Sequence, residues 1–238
     1  MNLPEKHITD FNKIVQLIND ARRRAFIRVN EELINLYWNV GKIISLKVEN
    51  ANWGAGVVDE LANYIKEKQP DIKGFNRRGL YRMKQFYETY YLGSECYKLW
   101  YDLKADNKLN PLSQIVSALP TQTQLADREE DTFVSAVLTQ ISWANHLEIL
   151  SGCNSAEEKL FYLVMAQKEH LSMRELRRQI QTASFERTML SNKIVSPVRT
   201  HLPVASNDIF KDTYVFEFLN LPKDYSENDL KVALNKNN

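Results

Sequence analysis

No stretch of this 238-residue sequence approaches the roughly 20 uninterrupted apolar residues that a membrane-crossing helix needs. The opening run Met1-Asn2-Leu3-Pro4-Glu5-Lys6-His7 also lacks the charged-then-apolar order of a secretory signal. The expected location is therefore the cytoplasm. Cysteine is scarce too: Cys96 and Cys153 stand alone, with no His or Cys at metal-ligand spacing, which argues against a disulfide framework and a zinc site and for two reduced packing residues. Seven glycines and seven prolines leave long stretches without breakers, the pattern of helices rather than of a many-stranded β fold. A net charge of only +1 excludes a wholesale polycation, so attraction to phosphate has to come from local clustering of the 31 Lys and Arg residues.

What is present is helical periodicity. Phe11, Ile14, Val15 and Ile18, then Leu33, Leu36, Tyr37, Val40, Ile43 and Ile44, recur at helical spacing and predict one long helix, or two in tandem, from Ile8 to about Val48. Val57, Val58, Leu61, Tyr64 and Ile65 define a shorter helix that stops at Gln69-Pro70. A third begins at Asn76, carries the apolar arc Leu80, Met83, Tyr87, Tyr90 and Tyr91, and ends near Gly93. Residues 106–135 read as a polar connector with one short apolar segment, Ile115 to Leu119. Helical spacing resumes with Ile141, Trp143, Leu147 and Leu150, restarts behind an Asn154 or Ser155 cap, and starts again after Ser172. The expected fold is all-α. It comprises a helix-turn-helix-like unit over residues 1–105, the connector, a second helical unit over 136–205, and a short, incomplete α/β fragment over 206–238.

Two of these helices are basic in the same way. Asn76-x-Arg78-x-Leu80-x-Arg82-x-x-Gln85 aligns without gaps to Ser172-x-Arg174-x-Leu176-x-Arg178-x-x-Gln181. Each begins on a good N-cap residue, each puts Arg, Arg and Gln on the face away from a buried Leu, and each follows another helix across a short break. In the first helix Arg77, Arg78, Arg82 and Lys84 oppose the single acid Glu88. Cations in the first turn work against the helix dipole, so their placement there suits anion binding better than helix stability. Arg and Gln are also the side chains that read guanine and adenine edges. The residues expected to hold nucleic acid are Arg77, Arg78, Arg82, Lys84 and Gln85 on the first helix and Arg174, Arg177, Arg178 and Gln181 on the second. Single Arg and Gln residues are ordinary on solvated helix faces; the repetition is what singles these out. Arg22, Arg23, Arg24 and Arg28 form a further cluster that suits a solvated face or pairing with Glu31 and Glu32 equally well. Trp38, Trp53, Trp100 and Trp143 are expected in the core. His7, His146, His170 and His201 are scattered, and no catalytic or metal role is assigned to any of them.

The block Leu36-Tyr37-Trp38-Asn39-Val40-Gly41-Lys42, then Trp53-Gly54, Gly74-Phe75-Asn76, Leu80, Met83 and Phe86-Tyr87, resembles the N-terminal domain of the YhcG-like family. The similarity continues through Ser142-Trp143-x-x-His146, Leu171-Ser172-x-Arg174-Glu175-Leu176, and Asp212-x-Tyr214-Val215-x-Glu217-Phe218-Leu219. That family joins a helical domain, taken to bind DNA, to a bacterial PD-(D/E)XK-type nuclease. The resemblance implies DNA as partner and, for full-length members, a divalent metal such as magnesium held by carboxylates beside a catalytic Lys. Here only Glu227 falls on a family acidic position, and the sequence ends at Asn238 with no place for the later acidic strand and its Lys. Triplets such as Asp71-Ile72-Lys73 and Asp229-Leu230-Lys231 occur at chance frequency in so charged a chain. The expectation is a DNA-binding module cut short before its nuclease core, with no catalytic residues, metal ligands or cofactor of its own. The competing expectation is a protein-interaction or oligomerisation module, pairing with a second copy or with a partner nuclease subunit as half of a split enzyme.

Overall fold

The computed structural model describes residues 5–50, 53, 56–105, 133–134 and 137–190. Among these the chain is all-α, with no strand. The long N-terminal periodicity is one continuous helix, α1 (Glu5–Glu49), followed by α2 (Val57–Lys68), α3 (Arg77–Tyr90) and α4 (Glu95–Ala105). A 3-10 turn at Leu138–Gln140 leads into α5 (Trp143–Gly152), α6 (Ala156–Glu169), α7 (Met173–Gln181) and α8 (Ser184–Leu190). The expected α/β fragment over 206–238, the segment Ile115 to Leu119 and Glu227 lie outside the described residues.

Helix starts follow their caps. Asn76 accepts from the Gly79 N–H, Ser142 from Asn145, and Ser155 from Glu158. Ser172 and Glu175 form a reciprocal capping box at α7. Gly74, at φ +88, turns the chain into α3, and Gly79 sits so close to the Gly74 carbonyl that no side chain fits between them. Two details depart from the sequence pattern. Tyr91 is the exposed C-cap of α3 rather than part of its buried arc, and α4 follows almost at once where no helix was expected.

The core is built on α1 crossing α3. Phe26, Val29, Leu33, Ile34, Tyr37, Trp38 and Ile44 of α1 are buried, as are Leu80, Met83, Phe86, Tyr87 and Tyr90 of α3. At the crossing a Cβ on Gly41 would stand 2.1 Å from the Met83 carbonyl oxygen, so the backbones touch where only glycine fits. Trp38 packs edge-on against Phe86 and Tyr87, and Tyr37 lies against Phe75 and Trp143. The Tyr-Trp-x-x-Gly block of the sequence is thus a packing signature. Trp38, Trp100 and Trp143 are buried and Trp53 packs partly buried against the same core.

The hydrophobic core runs unbroken from the first helices into the last. α4 packs on α6, with the Cys96 thiol 4.0 Å from the Ala156 carbonyl, and Phe133 fills the space between Tyr90, Tyr97 and Trp100. Asn30 of α1 donates its side-chain amide to the carbonyls of Thr139 and Ile141, at 2.8 and 3.0 Å, fixing α1 to the 3-10 turn. α6 is buried nearly all round, from Leu160 to Val164. The Tyr162 hydroxyl bridges it to its successors, donating to the Gln179 carbonyl and accepting from the Phe185 N–H.

Candidate nucleic-acid interface

The two aligned helices adopt the register their sequences suggest. Asn76 and Ser172 cap them, and Leu80 and Leu176, at the same offset, are both fully buried. That geometry sends positions three and seven of each alignment outward. On α3 the result is a concave surface: Arg77, Arg78, Tyr81, Arg82 and Gln85 line an open depression of about 480 Å³.

Each lining residue is held differently. Arg77 approaches Asp59 of α2 with Nε 2.7 Å from the carboxylate, a charge contact that ties α2 to the start of α3, and its guanidinium lies 5.8 Å from the centre of the Tyr81 ring. Arg82 donates to the Gln85 side-chain oxygen at 2.8 Å, which leaves the Gln85 amide nitrogen free to donate outward. Arg78 makes no ion pair or hydrogen bond through its side chain with the described residues. Lys84 does not join them. It turns to Glu88, which also accepts from the Ser45 hydroxyl of α1 at 2.8 Å, so this lysine serves the α1–α3 contact.

The α7 face is flatter. Arg174, Arg178 and Gln181 are exposed, and Arg174 and Arg178 make no ion pair with a described residue. Arg177 instead meets Glu148 of α5 fork to fork, and Glu175 spends its carboxylate on the cap of α7. α7 therefore offers two uncompensated arginines where α3 offers a lined depression. In the Arg22–Arg28 cluster, Arg23 pairs with Asp20 of its own helix at 3.1 Å.

Sequence reasoning puts Tyr81 on the exposed arc of α3 without counting it among the contact residues, and passes over Asp59. Tyr81 sits one turn before Gln85 on the exposed arc and is legible by spacing; Asp59, on another helix, is not. His146 is fully enclosed among Phe86, Tyr90 and Trp143, and burial lowers its pKa to about 4. Burial raises the thiols of Cys96 and Cys153 to about 11 and about 12. No group of three or more His, Cys, Asp or Glu among the described residues is arranged to hold a metal ion. No described helix is long and apolar enough to cross a membrane.

This all-α chain, with an arginine-lined depression on α3, belongs to the family described as DUF1016 N-terminal domain, which matches residues 13–115 and 116–187. It is also 27% identical over 230 residues to a protein of Escherichia coli (strain K12) named "Putative nuclease YhcG". That alignment covers 93% of this chain and 58% of the relative, so the chain spans less than two thirds of the relative's length. The chain is thus a YhcG-like family member. No solved structure matches it.

Proposed function

We propose that this chain is the DNA-holding helical module of a YhcG-like nuclease, with α3 as its principal contact and α7 as a second one. The observation that carries the reading is the α3 depression, where three guanidiniums, a tyrosine ring and a glutamine amide converge on one side of a helix whose opposite side is fully buried. Guanidiniums grip phosphate oxygens and read guanine edges, and an outward amide pairs with adenine. In this reading α2, the turn at Gly74 and α3 act as a helix-turn-helix, as do α6, the break at His170–Ser172 and α7, with the second helix of each pair against a groove. The name of the E. coli relative supports a nucleic-acid partner. DNA rather than RNA follows from the resemblance of the motif block. Phosphodiester cleavage is assigned in this reading to the part of the relative that this chain does not cover.

The test is a binding titration with a labelled duplex, using wild type and an Arg78→Ala/Arg82→Ala variant. These exposed and half-buried side chains are not part of the core, so the variant should fold and bind at least about tenfold more weakly. Equal affinity of the two proteins refutes the reading. Tighter binding to a structured RNA than to the duplex would change the substrate from DNA to RNA.

A further inference from the structure

The apolar stripe of α1 continues past the point where the core ends. From Phe26 onward it is covered by α3 and the 3-10 turn, and Phe26 is the first buried side chain of the helix among the described residues. Toward the N-terminus the same side of the helix carries Ile8, Phe11, Ile14, Val15 and Ile18, exposed by 44, 48, 54, 54 and 47%. From Ile8 to Ile18 the helix thus runs roughly 15 Å, at about 1.5 Å per residue, with an exposed apolar stripe.

The spacing of that stripe is symmetric. Around a centre between Ile14 and Val15, Phe11 mirrors Ile18 and Ile8 mirrors Ala21. A helix with such spacing is complementary to itself when a second copy runs antiparallel, because each knob then meets its mirror position across a two-fold axis. Charge selects the same direction. A parallel pair would set Arg22, Arg23 and Arg24 beside their own copies. An antiparallel pair sets the two arginine clusters at opposite ends of the contact, away from each other. With about half of each stripe residue exposed, pairing two copies covers on the order of 1,000 Å² in total, the least a specific interface requires.

We propose that residues 8–21 of α1 form an antiparallel homodimer contact, with Ile14 and Val15 of the two copies meeting at its centre. This surface lies on α1, not on the arginine face of α3, and the proposal does not rest on DNA binding. It has a consequence for it: a dimer would carry two copies of the α3 depression related by a two-fold axis.

Sedimentation equilibrium of the full chain across a micromolar dilution series tests the proposal. Wild type should show a monomer–dimer equilibrium. An Ile14→Asp/Ile18→Asp variant should weaken dimerisation by at least about 100-fold while keeping the wild-type unfolding transition, since neither side chain is in the core. Direction is read by cross-linking, with the native thiols Cys96 and Cys153 buried. Ile8→Cys mixed with Ala21→Cys should give a disulfide-linked pair on mild oxidation, and Ile8→Cys alone should not. A wild-type chain that is monomeric throughout overturns the dimer. Slow hydrogen exchange over residues 8–18 in that monomer would assign the stripe to another segment of the same chain. Cross-linking by Ile8→Cys alone overturns the antiparallel arrangement.

Discussion

Arg177 and Glu148 meet fork to fork across α7 and α5, with Nε 2.9 Å and Nη2 2.6 Å from the two carboxylate oxygens. The pair neutralises one of the arginines that the sequence alone would place on the nucleic-acid face. Arg177→Ala should therefore lower the salt dependence of DNA binding less than Arg178→Ala does, although the two residues are neighbours. A Glu148→Gln variant should bind DNA more tightly than wild type, because it frees a guanidinium. Anisotropy titrations of the three variants at matched salt concentrations check both expectations.

His146 makes stability depend on acid. Its Nε2 donates to the Leu138 carbonyl at 2.9 Å, which fixes the neutral tautomer, and burial lowers the ring from its usual 6.5 to about 4. The unfolded chain takes up a proton at pH values where the folded one does not. The stability from a neutral His146 is thus fully present above about pH 6.5, and falls as pH drops from there toward 4. By the linkage relation the loss reaches about 3 kcal/mol near pH 4. Urea unfolding of wild type and of His146→Gln over this range checks it. The variant should be less stable at neutral pH and show a flatter slope between pH 6.5 and 4.

Gly41→Ala should destabilise the protein even though alanine is the better helix former by about 1 kcal/mol. The added methyl would stand 2.1 Å from the Met83 carbonyl oxygen and 3.1 Å from the Tyr87 Cβ, so α1 and α3 must separate. Overpacking of this kind typically costs about 1–3 kcal/mol, and here the obstacle is backbone that cannot swing aside. The urea midpoint should fall. Gly56→Ala is the contrasting case, since its site is open and only its φ of +104 is strained.

The sequence showed its helices where periodicity and caps coincide. Leu80 and Leu176, four residues past Asn76 and Ser172, are buried as their spacing requires. It concealed α4 because Glu95–Ala105 starts within a few residues of the end of α3, and a run such as Tyr97-Lys98-Leu99-Trp100-Tyr101 has no clear polar face to mark its period. The site was half legible for a related reason. Arg77, Arg78, Arg82 and Gln85 share one helix, so their convergence follows from 3.6 residues per turn. Asp59 beside Arg77 and Glu148 beside Arg177 are set by tertiary packing, at sequence distances no local pattern encodes. The Lys84–Glu88 pair, by contrast, is an i,i+4 pair on one helix that spacing encodes, and only the tie from Ser45 of α1 to Glu88 is tertiary.

The proposal that α3 grips nucleic acid is tested most directly by the salt dependence of duplex binding for wild type beside Arg78→Ala/Arg82→Ala. Each phosphate contact adds a slope of about −0.9 in log affinity against log salt, so removing two contacts should make the slope shallower by about 1.8 as well as weakening binding. That change, with an unaltered unfolding transition, is the expected result. Identical slopes and affinities for the two proteins, or binding of wild type that does not respond to salt, would contradict the account.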